Sequence, residues 1–376
     1  MSTVSPAGER VILDGSRLIT ESLVRAGARA FVGYPITPAN LIYAYAANRF
    51  PVALAAPDEI TALQWVSGFS ASGVMPVTAT SFPGFALMVE TLNMAYMMEL
   101  PLVIVLAQRL GPSTGTATAG AQGDLMLLNG VISGGYPLPT ICVSNLDDCW
   151  TLAAESVRMA LALRTPVVLL TSAETVMTTR SFDVSALPAI EPASWPFFEG
   201  EGKYQPYAPG DDLVPPFVPV GNDTHQVRLN ASTHDVNGIL QNDAPDALAN
   251  TMRLQKKLEK NLSDHTFFEL EEDAGAEVLV VSYDVTASAA REAVGTLRRE
   301  GVAVSLLVAK TLLPVPPEYL EIAERYKRIV FAEENYDGQL RRIWFGARSR
   351  GGVSGVNAIG RMVAPEEICE EVKVHV

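Results

Sequence analysis

Four short segments hold the residue types that carry chemistry in enzymes. They are Tyr34-Pro35-Ile36-Thr37-Pro38, Pro57-Asp58-Glu59, Thr80-Ser81-Phe82-Pro83-Gly84-Phe85 and Gln108-Arg109-Leu110-Gly111-Pro112-Ser113-Thr114-Gly115. Glu59 brings a carboxyl group, which can share or move a proton. Arg109 brings a planar guanidinium, which can hold an anion through two parallel N–H groups. Taken singly, each residue also has a plain structural explanation. Thr37 between two prolines suits a helix cap, Glu59 suits the positive end of a helix, Arg109 suits a surface cation, and Gly111 to Gly115 suits an ordinary turn.

The elements that must position these residues follow an α/β alternation from Asp14 to about Thr171. Strands are expected at Ala30–Gly33, Val77–Thr80, Leu102–Ala107, Thr140–Val143 and Val167–Leu170. Helices are expected at Asp58–Ser72, with Ile60, Leu63 and Phe69 inward, and at Phe85–Met98 and Leu146–Leu163. Three of the segments follow expected strands and the fourth opens a helix, and ligands of open α/β sheets bind at the carboxyl ends of the strands. The apolar stretch Phe85 to Ala107 is interrupted by Glu90, Asn93, Glu99 and Pro101, so it reads as a buried helix and strand with no membrane span.

Between Pro188 and Pro245 the composition changes, with nine of the 25 prolines, eight acids and only two bases. This arm carries Trp195, Phe197, Phe198, Tyr204, Tyr207 and Phe217, and it should pack against its own domains or a partner. Asp246 to about Leu262 reads as a helix with Leu248, Leu254, Leu258 and Leu262 on neighbouring turns and Arg253, Lys256, Lys257 and Lys260 outside. A second α/β unit follows, with strands Val278–Ser282, Val302–Val308 and Ile329–Ala332 and helices around Thr286–Glu300, Pro316–Arg325 and Asp337–Phe345.

Composition narrows the class. The 376 residues are 48% apolar and 19% charged, which excludes a disordered chain. A formal charge of −14 argues against sequence-independent nucleic-acid binding. Cys142, Cys149 and Cys369 have neither zinc nor iron–sulfur spacing, so no metal ligands are expected in this chain. Met1 to Arg10 lacks an export signal, which gives a cytoplasmic expectation. His225, His234, His265 and His375 lie outside the four segments and are read as structural or surface residues.

Together, the four segments resemble the alpha subunit of the 2-oxoacid:ferredoxin oxidoreductases, thiamine-diphosphate enzymes that include pyruvate and 2-oxoglutarate members. The resemblance continues through Gln122-Gly123-Asp124-Leu125 and returns at Glu334-Asn335-Tyr336-Asp337-Gly338-Gln339-Leu340. It implies a thiamine-diphosphate-binding α/β fold in three parts. Residues 1–187 would form a pyrimidine-binding domain, a parallel sheet with helices on both faces. Residues 188–270 would hold the proline-rich arm and connecting helix, and residues 271–376 a transketolase C-terminal-like α/β domain.

By the same resemblance, Glu59 hydrogen-bonds the aminopyrimidine ring of thiamine diphosphate and drives loss of the thiazolium proton, while Asp58 caps the helix. Thr37 and Arg109 would hold the substrate carboxylate. Tyr34, Pro35, Ile36, Ser81, Phe82, Gly84 and Phe85 would line the cofactor. Phe82 stands where the family turn Thr-Ser-Gly-Pro-Gly-Phe usually has its first glycine, and Leu110 where glycine is frequent. Both add apolar bulk, which leaves room for an aromatic oxoacid such as phenylglyoxylate beside 2-oxoglutarate.

A complete thiamine enzyme also needs a Gly-Asp-Gly segment and a following asparagine for diphosphate and magnesium. The nearest approaches here are Gly210-Asp211-Asp212 and Gln122-Gly123-Asp124, and neither has the following pattern. A beta subunit is therefore expected to supply the diphosphate and magnesium site and an iron–sulfur cluster, with separate gamma and ferredoxin-like chains as further partners. The expected reaction joins a 2-oxoacid and coenzyme A into acyl-CoA and carbon dioxide, with two electrons passing to ferredoxin or a similar acceptor. The alternatives are a non-redox thiamine-dependent decarboxylase or synthase subunit, and a non-catalytic scaffold subunit.

Overall fold

The computed structural model describes residues 10–347 and 351–374. The reading of Met1 to Gly8 and Glu9 and that of His375 lie outside them. Runs such as LVIVLAQ at Leu102–Gln108 and VLVVS at Val278–Ser282 are buried at every position. Strands of this kind cannot face water on either side, so they belong in parallel sheets covered by helices.

In chain order the first half holds β1 (Arg10–Asp14), α1 (Gly15–Arg25), β2 (Ala30–Gly33), α2 (Asn40–Arg49), β3 (Val52–Ala55), α3 (Glu59–Ala71), β4 (Pro76–Thr80) and α4 (Phe82–Met97). It continues with β5 (Leu102–Gln108), α5 (Leu125–Gly130), β6 (Thr140–Cys142), α6 (Leu146–Leu163), β7 (Pro166–Ser172), α7 (Ala173–Met177) and β8 (Thr179–Asp183). After the arm come α8 (Pro245–Asn261), β9 (Phe268–Glu271), β10 (Val278–Ser282), α9 (Thr286–Arg299), β11 (Val304–Ala309) and β12 (Thr311–Leu313). The chain then forms α10 (Pro317–Glu324), β13 (Arg328–Glu333), α11 (Gln339–Phe345), β14 (Val353–Asn357) and α12 (Pro365–Val374).

The larger sheet has the order β12-β6-β7-β5-β4-β2-β3 and is parallel except for β12. The chain steps from β2 outward to β3, then crosses to β4 on the other side of β2, so the order reverses between β2 and β4. A crevice opens at such a reversal. The smaller sheet runs β14-β13-β10-β11-β9, with β9 antiparallel. β12 lies after the smaller sheet's strand β11 in sequence yet pairs with β6 of the larger sheet, which ties the two sheets together.

Local rules set the helix starts. Asp58 accepts the Thr61 backbone N–H at 2.7 Å and caps α3, as expected. With Glu59 turned inward, Ile60 stands about 100° further round the helix and is 43% exposed, against the expectation that it faces the core. Leu63 is fully buried. α4 starts at Phe82, three residues earlier than expected, because Pro83 fits a first helical turn.

The arm packs on its own chain. Arg164, at the end of α6, donates to the carbonyls of Pro206, Pro215 and Pro216 at 3.1, 3.1 and 2.6 Å. Its guanidinium lies 5.0 Å from the centroid of the Phe217 ring, and Trp195 stacks on the same ring at 4.7 Å.

In α8, Arg253 and Lys257 are buried, contrary to the solvent-facing expectation. Both pair with the fully buried Glu99, which lies between α4 and β5, with Lys257 Nζ at 2.6 Å from Glu99 Oε2. Burial pushes the Glu99 carboxyl up, but Lys257 and Arg253 override it and hold it at about 2. Burial pulls Lys257 down to about 8 against the pull of Glu99. One carboxylate faces two cations here, so the surplus charge falls on the lysine. Among the described residues no helix is long and apolar enough to cross a membrane.

Candidate active site

The four segments converge on the carboxyl-end edge of the larger sheet. Glu59 is the first residue of α3 and only 6% exposed. Its carboxylate makes no hydrogen bond or ion pair among the described residues, an unusual state for a buried acid. The first turn of α4 lies against it. A Cβ at Gly84 would sit 2.5 Å from Glu59 Oε1 and 2.2 Å from Thr80 Oγ1, so only glycine allows this approach. Next to it the Ser81 hydroxyl is buried without a partner. Phe82 is half-buried, and Phe85 is wholly enclosed in the core.

Arg109 follows the last residue of β5 and is 6% exposed. Its Nη1 donates to the Thr37 carbonyl at 2.7 Å, joining loops 72 residues apart in sequence. The contact uses the Thr37 backbone and not its hydroxyl. Nε of Arg109 is buried without a partner, and Nη2 makes no hydrogen bond among the described residues. The Nε–Nη2 edge, the one with two parallel N–H groups, is therefore unengaged. Tyr34 and Pro35 are exposed, while Ile36 packs partly against the core.

Asp124 is the acid beside this guanidinium, and single-residue reasoning missed it. It is 5% exposed with Oδ2 unpartnered, and burial pushes its carboxyl up to about 7 against the lowering effect of Arg109. The two segments marked only by family resemblance turn out to bind each other. Gln122 N–H donates to the Glu334 carbonyl at 2.8 Å, Glu334 N–H to Gln122 Oε1 at 2.7 Å, and Asn335 Nδ2 to the Gln122 carbonyl at 3.2 Å. Gln339 bridges the Gly123 carbonyl and the Met126 N–H, both at 2.9 Å. The smaller sheet thus fastens the loop that carries Asp124. A cavity of about 520 Å³ between β1, α1 and α2 is lined by none of the candidate residues. The cysteines are buried and free, and no group of three metal-ligating side chains occurs among the described residues.

Comparison with known proteins identifies the family. Residues 21–253 match the family described as pyruvate flavodoxin/ferredoxin oxidoreductase, thiamine diphosphate-binding, and residues 276–365 match pyruvate:ferredoxin oxidoreductase core domain II. The chain belongs to the 2-oxoacid:ferredoxin oxidoreductase family, as an alpha subunit. Within that family it is 31% identical over 337 residues to the 2-oxoglutarate synthase subunit KorA of Methanocaldococcus jannaschii, covering 87% of this chain and 89% of the relative. It is 29% identical over 350 residues to the 2-oxoglutarate oxidoreductase subunit KorA of Mycobacterium tuberculosis, covering 90% of this chain and 53% of the relative.

A solved family structure is the 2-oxoglutarate:ferredoxin oxidoreductase from Magnetococcus marinus with 2-oxoglutarate, coenzyme A and succinyl-CoA bound. It superposes with a TM-score of 0.91 at 27% identity, over 100% of this chain and 68% of that one. A split-gene transketolase shares the fold at a TM-score of 0.55 and 14% identity, over 96% of this chain and 97% of that one. The fold is thus the thiamine-diphosphate-binding α/β type expected from the sequence.

Proposed function

We propose that this chain carries the pyrimidine-side half of a thiamine-diphosphate active site that converts 2-oxoglutarate and coenzyme A to succinyl-CoA and carbon dioxide. Two electrons leave to ferredoxin or a similar acceptor. The observation that supports it best is Glu59, a buried carboxylate without a partner at the sheet edge where Arg109 and Thr37 meet. The residues present fit the cofactor's aminopyrimidine, because the free Glu59 carboxylate calls for a hydrogen-bonding partner and the missing side chain at Gly84 keeps its seat open. When bound, thiamine diphosphate supplies the nucleophilic carbon that attacks the oxo carbon and the electron sink for decarboxylation.

The chain's own part is to hold a proton and orient an anion. Glu59 holds the shared proton at its carboxyl, shielded from water by its burial at the α3–α4 contact. Arg109 is anchored through Nη1 to the Thr37 carbonyl, so its Nε–Nη2 edge can take the 2-oxoacid carboxylate in a fixed orientation. Tyr34, Pro35, Ile36, Ser81, Phe82 and Gly84 complete the cofactor side of this reading, while Phe85 is enclosed in the core at the α4 turn. The division into residues 1–187, 188–270 and 271–376 goes with it.

A beta subunit completes the site with the diphosphate and magnesium side and a cluster, and gamma and ferredoxin-like chains accompany it. The helices that carry Glu59 and Gly84 also expose Ile60, Trp65, Leu87 and Met94, an apolar face suited to that contact. The test is to purify the native complex, identify its subunits, and assay 2-oxoacids, phenylglyoxylate included, with coenzyme A and a viologen dye. Dye reduction that needs both 2-oxoglutarate and coenzyme A is expected. Carbon dioxide release without dye reduction, or no turnover of any 2-oxoacid, would overturn the reading.

A further inference from the structure

Beside Arg109 runs a line of buried polar groups that includes none of the residues assigned to the cofactor or the substrate. Gln108, the last residue of β5, has no exposed surface. Its Nε2 donates to Asp284 Oδ2 at 3.3 Å, and its Oε1 accepts the Asp124 backbone N–H at 3.2 Å. Asp284, fully buried beyond β10, accepts three donors at its other oxygen: Val285 N–H at 2.8 Å, the Ser172 hydroxyl at 3.0 Å and the Thr175 hydroxyl at 3.4 Å.

Both ends of this line are backbone N–H groups, which only donate. Between them stand one carboxylate, which accepts at both oxygens, and one amide, with a donor side and an acceptor side. The line therefore closes in a single sense. The carboxylate dictates that the Gln108 amide turns its N–H₂ toward Asp284, and only then does the amide oxygen reach the Asp124 N–H.

We propose that Asp284 is a positioning residue for the substrate site, acting through the Gln108 amide to fix Asp124 beside the Arg109 guanidinium. The proposal rests on the reading of Arg109 as the substrate-carboxylate holder. It gives the smaller sheet a part in the chemistry, because Asp284 and the Gln122–Glu334 bonds hold the same loop from two directions.

The donor count gives a sharp test. Asp284 has φ 51°, a left-handed conformation that asparagine tolerates as aspartate does, so Asp284→Asn adds no backbone strain. Whichever way the new amide sits, either one backbone N–H loses its acceptor or two N–H₂ groups meet. Burial pushes the Asp284 carboxyl up to about 7, so Gln108→Glu breaks the line in the opposite way when compared well above that pH, where two carboxylates face each other. Combining the two substitutions exchanges amide and carboxylate and restores the count, with Val285 donating to the amide oxygen and Asp124 to the carboxylate.

Both single variants and the double variant are prepared as the assembled complex. Amide hydrogen exchange over residues 120–126 is read alongside kcat and KM for 2-oxoglutarate. Each single variant should show faster exchange and about a tenfold loss of kcat/KM, mostly in KM, the size of one unsatisfied buried donor. The double variant should recover most of both. Singles that match the wild type, or a double variant no better than the singles, would overturn the proposal. If a single variant fails to assemble, recovery of assembly in the double variant supports the relay and its absence overturns it. If the wild-type complex turns over no 2-oxoacid, the functional reading fails, and exchange in the same variants still upholds or overturns the relay.

Discussion

Gly84→Ala separates the structural reading from local sequence rules because the two give opposite signs. Gly84 lies in the first turn of α4, where alanine should stabilise the helix by roughly 0.5–1 kcal/mol. The structure puts the added Cβ 2.5 Å from Glu59 Oε1, 2.6 Å from Glu59 Cγ and 2.2 Å from Thr80 Oγ1. To reach an ordinary contact of 3.4 Å the carboxylate must withdraw by about 0.9 Å. Displacing a reacting group by about 1 Å costs about 100-fold in rate, or about 2.7 kcal/mol of transition-state stabilisation. Overpacking of the first turn should also cost about 1–3 kcal/mol of stability. The assay is kcat and KM of the assembled complex with thermal melting of the same sample. Gly295→Ala serves as the control, since its Cβ would meet nothing closer than the Arg299 guanidinium at 3.5 Å, and it should gain stability with activity unchanged. Wild-type kcat in Gly84→Ala, together with a raised melting temperature, would show that Glu59 has no fixed seat.

Glu59→Gln should lower kcat by about 10²- to 10⁴-fold while leaving assembly intact, as read by turnover and size-exclusion chromatography. Arg109→Ala should raise KM for the 2-oxoacid and lower kcat together, with kcat/KM down about 100-fold; steady-state kinetics that match the wild type would remove Arg109 from the substrate site. Glu99→Gln keeps the shape but strands Arg253 and Lys257 in the interior, so it should cost about 3–5 kcal/mol in a denaturant titration. The sign of its pH dependence follows from the carboxyl being lowered from 4.5 to about 2. The stabilisation from Glu99 is complete above 4.5 and is lost as pH falls through about 2, so the wild type and Glu99→Gln should converge in acid. Lys257 works the other way, because its lowering to about 8 is a penalty that eases as pH rises above that value.

Much of the fold is legible because its cause is local. The strands Ala30–Gly33 and Val278–Ser282 and the helix Leu146–Leu163 have the boundaries that apolar runs and caps imply, and Asn145 accepts the Asp148 N–H at 2.8 Å just where α6 begins. Short strands such as Val52–Ala55, Thr311–Leu313 and Val353–Asn357 were not legible. They carry no periodic signal, and distant partners make them strands.

The candidate site divides along the same line. Residue types marked the four segments, the family resemblance singled out Glu59, Thr37 and Arg109 within them, and the cap at Asp58 settles where α3 starts. Helical periodicity put Arg253 and Lys257 in water, yet they serve a carboxylate more than 150 residues away. No local pattern showed that Arg109 rests on the Thr37 carbonyl, that Asp124 sits beside it, or that Asp284 sets the Gln108 amide across 176 residues of sequence. Local sequence marked most of the elements, their caps and the family, because propensity and capping act over a few residues. Only the tertiary structure decided which polar groups share a dry interior, because a buried donor must find its acceptor wherever the sheets bring one within reach.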